Sequence, residues 1–91
     1  MNIESIKNYH FYDFVEYYLG YSIRGSGKIV QLDRANGIVV LKFKHFKMSS
    51  VLKYEFVFDN EKCLLSKNYW SNQDITNEWE NFMQNEFCKG C

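Results

Sequence analysis

Asn36-Gly37-Ile38-Val39-Val40-Leu41-Lys42-Phe43-Lys44-His45-Phe46 is followed, after Lys47-Met48-Ser49-Ser50, by Val51-Leu52-Lys53-Tyr54-Glu55-Phe56-Val57-Phe58. These two runs decide the fold. Asn36-Gly37 is a strong hairpin signal, because both residues tolerate positive φ. The run after it is apolar as far as Leu41 and then alternates, with Lys42 and Lys44 on one face and Leu41, Phe43 and His45 on the other. The second run alternates throughout, setting Leu52, Tyr54, Phe56 and Phe58 against Lys53, Glu55 and Val57. Both read as antiparallel strands with one apolar face, and residues 47–50 read as the turn between them. Upstream, Lys28 to Asp33 reads as the first strand of the hairpin. Downstream, Asp59-Asn60-Glu61-Lys62 is turn-like, and Cys63-Leu64-Leu65 makes a short fourth strand.

A helical pattern stands at each end. Phe11, Phe14, Val15, Tyr18 and Leu19 follow the i, i+3, i+4, i+7, i+8 spacing, and Ile3 and Ile6 extend the stripe, so a helix is expected over 3–19. Asn2 is its candidate cap and Gly20 its terminator. Residues 21–27 read as a linker. At the other end Ile75, Trp79, Phe82 and Met83 make an apolar stripe over about 72–87. Ser71 is the expected N-cap there, with Asp74 three residues on as the reciprocal partner. Trp70 and Ile75 would form a hydrophobic staple around that cap. The order is α-β-β-β-(β)-α. An antiparallel sheet with one face in water needs cover on the other, so the expectation is a two-layer α+β domain. Its three- to four-stranded sheet would be flanked by an N-terminal and a C-terminal helix, in one compact domain over 1–91.

Aromatics make up 19% of the chain, with eight Phe, seven Tyr and two Trp among 91 residues. Rings bury much area each, so a core is attainable at this size. Net charge is zero but segregated. Residues 1–20 carry one lysine against three acids, residues 21–54 seven cations against Asp33 alone, and residues 55–91 three lysines against seven acids. Such polarity steers charged partners. No apolar run approaches membrane-spanning length. Met1-Asn2-Ile3-Glu4 lacks signal-peptide character, and three cysteines make no disulfide framework, so a cytoplasmic setting is expected.

Chemistry-bearing patterns are weak. Gly25-Ser26-Gly27-Lys28 departs from a phosphate-binding loop, having Ser22 where the first glycine belongs and Ile29 after the lysine. Cys88-Lys89-Gly90-Cys91 has metal-knuckle spacing and Cys63 offers a third thiolate, but a structural zinc needs a fourth ligand. His10 and His45 stand alone in sequence, and neither is in a paired spacing. Free thiols are the plainer reading, so no metal and no cofactor is expected. No Ser-His-Asp, Cys-His or paired-carboxylate arrangement is present, and the chain is read as a non-enzyme. Lys42, Lys44, Lys47 and Lys53, with Phe43, Phe46 and Tyr54 nearby, suggest an alternative function, a small nucleic-acid-binding module. Alternation places most of those rings on the face opposite the lysines, which weakens it.

Tyr69-Trp70, then Asp74-Ile75, then Trp79 resembles a motif of small bacterial immunity proteins that protect cells against contact-dependent growth-inhibition and related polymorphic toxins. The resemblance covers about a dozen residues and implies a stoichiometric protein inhibitor that covers its partner's active surface. A phage-encoded inhibitor of a host defence enzyme, such as a nuclease, fits the same features. Toxic nucleases are often basic, so the acidic, tyrosine-rich helices are the expected partner-binding elements. Those residues are Tyr9, Tyr12, Asp13, Glu16 and Tyr17 in the first helix and Glu78, Glu80 and Glu86 in the last. Buried aromatic anchors would supply affinity and charge the association rate.

Overall fold

The computed structural model describes residues 3–47, 49–68 and 71–88. Met1, Asn2, Met48, Tyr69, Trp70 and Lys89–Cys91 lie outside them, and with them the Asn2 cap, the Trp70 half of the staple, Cys91 of the knuckle spacing and two residues of the resemblance. A 3-10 turn at Ile3–Ser5 leads into α1 (Asn8–Leu19) and the single-turn α2 (Ile23–Ser26). Five strands follow: β1 (Gly27–Ala35), β2 (Ile38–Lys47), β3 (Ser50–Phe58), β4 (Cys63–Lys67) and β5 (Asn72–Asp74). The chain then enters α3 (Thr76–Cys88). The strands pair antiparallel in the order β1-β2-β3-β4-β5, a simple meander. The α+β class and the flanking helices are as expected, and the sheet has five strands where three or four were expected.

Each departure has a local cause. Helix 3–19 is broken because Lys7 is extended (φ −78°, ψ 155°), and the helix proper begins at Asn8. The 21–27 linker winds one helical turn before β1. The segment 72–74, taken as the first turn of the last helix, is a strand on the sheet edge. Its residues pair Leu64 with Asp74, Leu65 with Gln73 and Ser66 with Asn72. Ser71 therefore caps no helix. By contrast, Asn36 (φ 51°) and Gly37 (φ 79°) form the expected two-residue turn, and Gly20 (φ 77°) ends α1 with its N–H donating to the Glu16 carbonyl.

The core lies on one face of the sheet, beneath the helices. Val39, Leu41, Phe43, Tyr54, Phe56 and Phe58 point into it from β2 and β3, as their alternation predicts. Four rings from three elements meet at its centre. Phe58 on β3 lies 4.7 Å from both Phe11 of α1 and Trp79 of α3, while Phe14 meets Trp79 edge-on at 5.1 Å. Gly27 packs so closely against β2 that a Cβ there would overlap the Lys44 carbonyl and the Phe43 ring. Only glycine fits there, and the constraint is one of space.

Arg34 ties the amino-terminal segment to the sheet. Its Nε donates to Asn8 Oδ1 (2.8 Å), one Nη to the Ile3 carbonyl (3.2 Å) and the other to the Ile6 carbonyl. The guanidinium also sits 5.1 Å from the Phe11 ring centroid. The Ile3 carbonyl already accepts the Ile6 N–H (3.2 Å) in the 3-10 turn, while the Ile6 carbonyl lies where the chain leaves it, so the forked cation adds to the first and serves the second. We expect Arg34→Ala to lose roughly 2–3 kcal/mol in chemical denaturation. Arg34→Lys should recover less than half, because an ammonium cannot reach three acceptors at once. A loss shared equally by both variants, or none, would show the fork to be dispensable.

Candidate protein-binding surface

Packing of α1 on its Phe11, Phe14 and Val15 side turns Tyr9, Asp13, Glu16 and Tyr17 outward. These positions follow i, i+4, i+7 and i+8 and form one stripe. Tyr9 is 54% and Tyr17 67% exposed, high values for large rings. His10, on the inner side, has a structural task. The Lys7 N–H donates to its Nδ1 (3.2 Å), the reciprocal half of a capping box with histidine in the usual Glu or Gln place.

Ile75, just before α3, and Trp79 and Met83 on it face inward, while Glu78, Phe82 and Glu86 follow one another at single-turn intervals. Phe82 lies 5.2 Å from Tyr17 and 5.6 Å from Phe14, so the outer stripes of the two helices meet at a Tyr17–Phe82 seam. By helical spacing, Asp13 and Glu16 lie within a turn of Tyr17, and Glu78 and Glu86 each one turn from Phe82. Glu16 accepts a hydrogen bond from the Ser22 hydroxyl at 3.4 Å. Two expected residues fall elsewhere. Tyr12 is half-buried against the core, with the Arg24 guanidinium 5.9 Å from its ring centroid. Glu80 lines an open groove of about 720 Å³ with Glu61, Lys62, Asp74, Thr76 and Asn77. Sequence inspection missed Phe82 as part of this surface, because its spacing equally suits the core.

The position of α3 depends on a polar lock at its start. Asp74 Oδ1 accepts from the Thr76 N–H (3.0 Å) and from the Thr76 hydroxyl, an Asx-type turn. The same hydroxyl accepts from the Cys63 N–H (3.1 Å), and the Cys63 carbonyl accepts from the Ile75 N–H (2.9 Å). Both backbone groups of Cys63 are thus satisfied from the start of the helix. The two Thr76 bonds hold the Asp74 carboxyl below the usual range, with Lys62 adding to them. We expect Thr76→Val, which strands the Cys63 N–H, to lose about 1–2 kcal/mol, a Tm drop of roughly 5–15 °C. Thr76→Ser should stay near wild type. Equal stability of all three would remove the lock from the account.

The Cys63 side chain is fully buried in the core, where desolvation first, then the charges of Asp74 and Glu78, push its thiol well above the ordinary 9.0. Its thiolate is therefore far less available than a surface cysteine's. A thiol held up by the fold ionises more easily once unfolded, so its contribution to stability is intact below pH 9 and declines above it. We expect Cys63→Ala, although less stable at pH 7, to lose less further stability between pH 8 and 10 than the wild type. Identical pH slopes would contradict this.

Among the described residues, no helix lies on the other face of the sheet. Lys42, Lys44 and Phe46 of β2 lie on it, with Val51, Lys53, Glu55 and Val57 of β3. Lys42 pairs with Glu55 across the strands at 3.9 Å. Lys47, by alternation, belongs to the opposite side. Phe43 and Tyr54 are in the core, as expected, and Phe46 shares the lysines' face. His45 is half-buried and stacked on Tyr21 at 4.3 Å. Burial, and then the neighbouring Tyr54, raise the Tyr21 phenol; among the described residues neither its hydroxyl nor His45 Nδ1 has a hydrogen-bond partner.

No cluster of three or more metal-ligating side chains occurs among the described residues. Among them, too, no helix is long and apolar enough to cross a membrane. No family model matches the chain, and neither a curated protein nor a solved structure matches it.

Proposed function

We propose that this protein is a small stoichiometric inhibitor that binds and occludes a partner protein, as a toxin-immunity protein or a phage-encoded inhibitor of a host defence enzyme does. The observation that carries the reading is the outer helical surface, where Tyr9 and Tyr17 stand exposed among Asp13, Glu16, Glu78 and Glu86. Tyrosines held by a packed helix make large, rigid contacts at low entropic cost, the usual character of interface anchors. The surrounding carboxylates favour a basic partner and accelerate encounter at low salt. The Tyr17–Phe82 contact fixes one anchor in place before binding, which lowers the ordering cost. Such a protein acts by excluded access and turns over no substrate; we read its setting as cytoplasmic and its partner as a basic toxin or defence enzyme, of which a nuclease is one kind.

The test is capture from the native host, followed by titration of the captured protein's own activity. We expect activity to fall linearly to zero at one equivalent of this chain. Tyr17→Ala should weaken the complex by about 2 kcal/mol or more, near thirty-fold in Kd, and Tyr9→Ala by less. Undiminished activity at saturation, or a Kd unchanged in the Tyr9→Ala/Tyr17→Ala double variant, would refute the proposal.

A further inference from the structure

The β1–β2–β3 register places Lys28 opposite Lys44 and Lys44 opposite Lys53. Three ammonium-bearing positions thus form one row across three neighbouring strands, on the face that no helix among the described residues covers. With strands about 4.8 Å apart, the row spans roughly 10 Å. Like charges directly opposite one another destabilise a sheet, and none of these three lysines has an ion pair among the described residues. The nearby acid on this face, Glu55, pairs with Lys42 in the adjoining row. The arrangement is therefore adverse for the isolated fold and favourable once a polyanion lies along it.

A second observation narrows the polyanion. Phe46 lies two residues beyond Lys44 on the same face, is 56% exposed, and stands opposite Val51, itself 49% exposed. An exposed ring beside a cation row offers a stacking surface next to phosphate contacts, the combination used to hold unpaired bases. A duplex hides the faces of its bases, and an acidic peptide has no planar group to set on the ring.

We propose that the uncovered sheet face binds single-stranded nucleic acid, with Lys28, Lys44 and Lys53 contacting the backbone and Phe46 stacking on a base. The site is independent of the helical surface, on the opposite side of the molecule. It differs from the set legible in the sequence: Lys28 enters, Phe46 is the ring that stays with the lysines, Lys47 leaves for the other face, and Lys42 is held by Glu55.

Fluorescence anisotropy of the full chain with a labelled 20-nucleotide single strand tests this at 50 and 200 mM NaCl. Three backbone contacts predict a roughly twenty-fold loss of affinity across that salt range. Lys28→Ala/Lys44→Ala/Lys53→Ala should abolish most of that dependence and leave a fold at least as heat-stable as wild type, since it relieves repulsion. Phe46→Ala should lose about five-fold or more. Lys42→Ala should change affinity less than two-fold, and Tyr17→Ala not at all. A salt-insensitive or absent interaction overturns the proposal. So does equal affinity for a 20-base-pair duplex or for poly-glutamate, and so does an unchanged Kd in Phe46→Ala.

Discussion

The meeting of Phe11, Phe14, Phe58 and Trp79 holds the rest of this molecule in place. The four rings come from α1, β3 and α3, so one cluster joins both ends of the chain to the middle of the sheet. Fully burying a ring of this size contributes about 1.5–3 kcal/mol, and each ring pair adds roughly 0.5–1.5 kcal/mol. A single cap or turn contributes about 1 kcal/mol. Ring packing therefore outweighs the local signals, and it decides which side of each helix is turned inward. The Arg34 fork and the Thr76–Cys63 lock then set where those helices begin.

Fixing the inward sides also fixes what remains outside. Two helices covering one face of a meander leave an acidic, tyrosine-bearing surface on the far side of the helices and a lysine-bearing sheet on the other. The charge segregation along the chain, acidic at both ends and basic between, becomes segregation in space. The two surfaces share no residue, and the core stands between them. A partner on one need not displace a ligand on the other, so the protein-occluding function and the nucleic-acid surface proposed here are compatible within one fold.

Much of this architecture is legible in the residue order because strands β2 and β3 alternate and Asn36-Gly37 demands a hairpin. What is hidden is hidden for physical reasons. Strand β5 is three polar residues on a sheet edge, with no buried side chain to mark a period of two. Ser71 has the chemistry of a cap, but backbone pairing with β4 takes the next three residues into the sheet, and the helix waits for Asp74 and Thr76. The break at Lys7 is invisible because Ile3 and Ile6 keep helical spacing while Arg34, 28 residues on from Ile6, serves the Ile6 carbonyl. At the candidate site, the outer stripe of α1 is readable from periodicity. The separation of Glu80 from Glu78 follows from helical angle alone. Phe82 joining Tyr17, and Tyr12 lying under Arg24, depend on how two helices pack. The lysine row depends on strand register and on the bulge in β1 between Ile29 and Gln31, which no single-strand pattern reveals.

Hydrogen exchange of the inhibited complex, compared residue by residue with the free chain, addresses the central claim most directly. If the protein works by laying its outer helical surface over a partner, exchange slows in α1 and α3 while β2 and β3 are unchanged. Slowing confined to the β2–β3 hairpin, with both helices exchanging as in the free protein, would contradict the account.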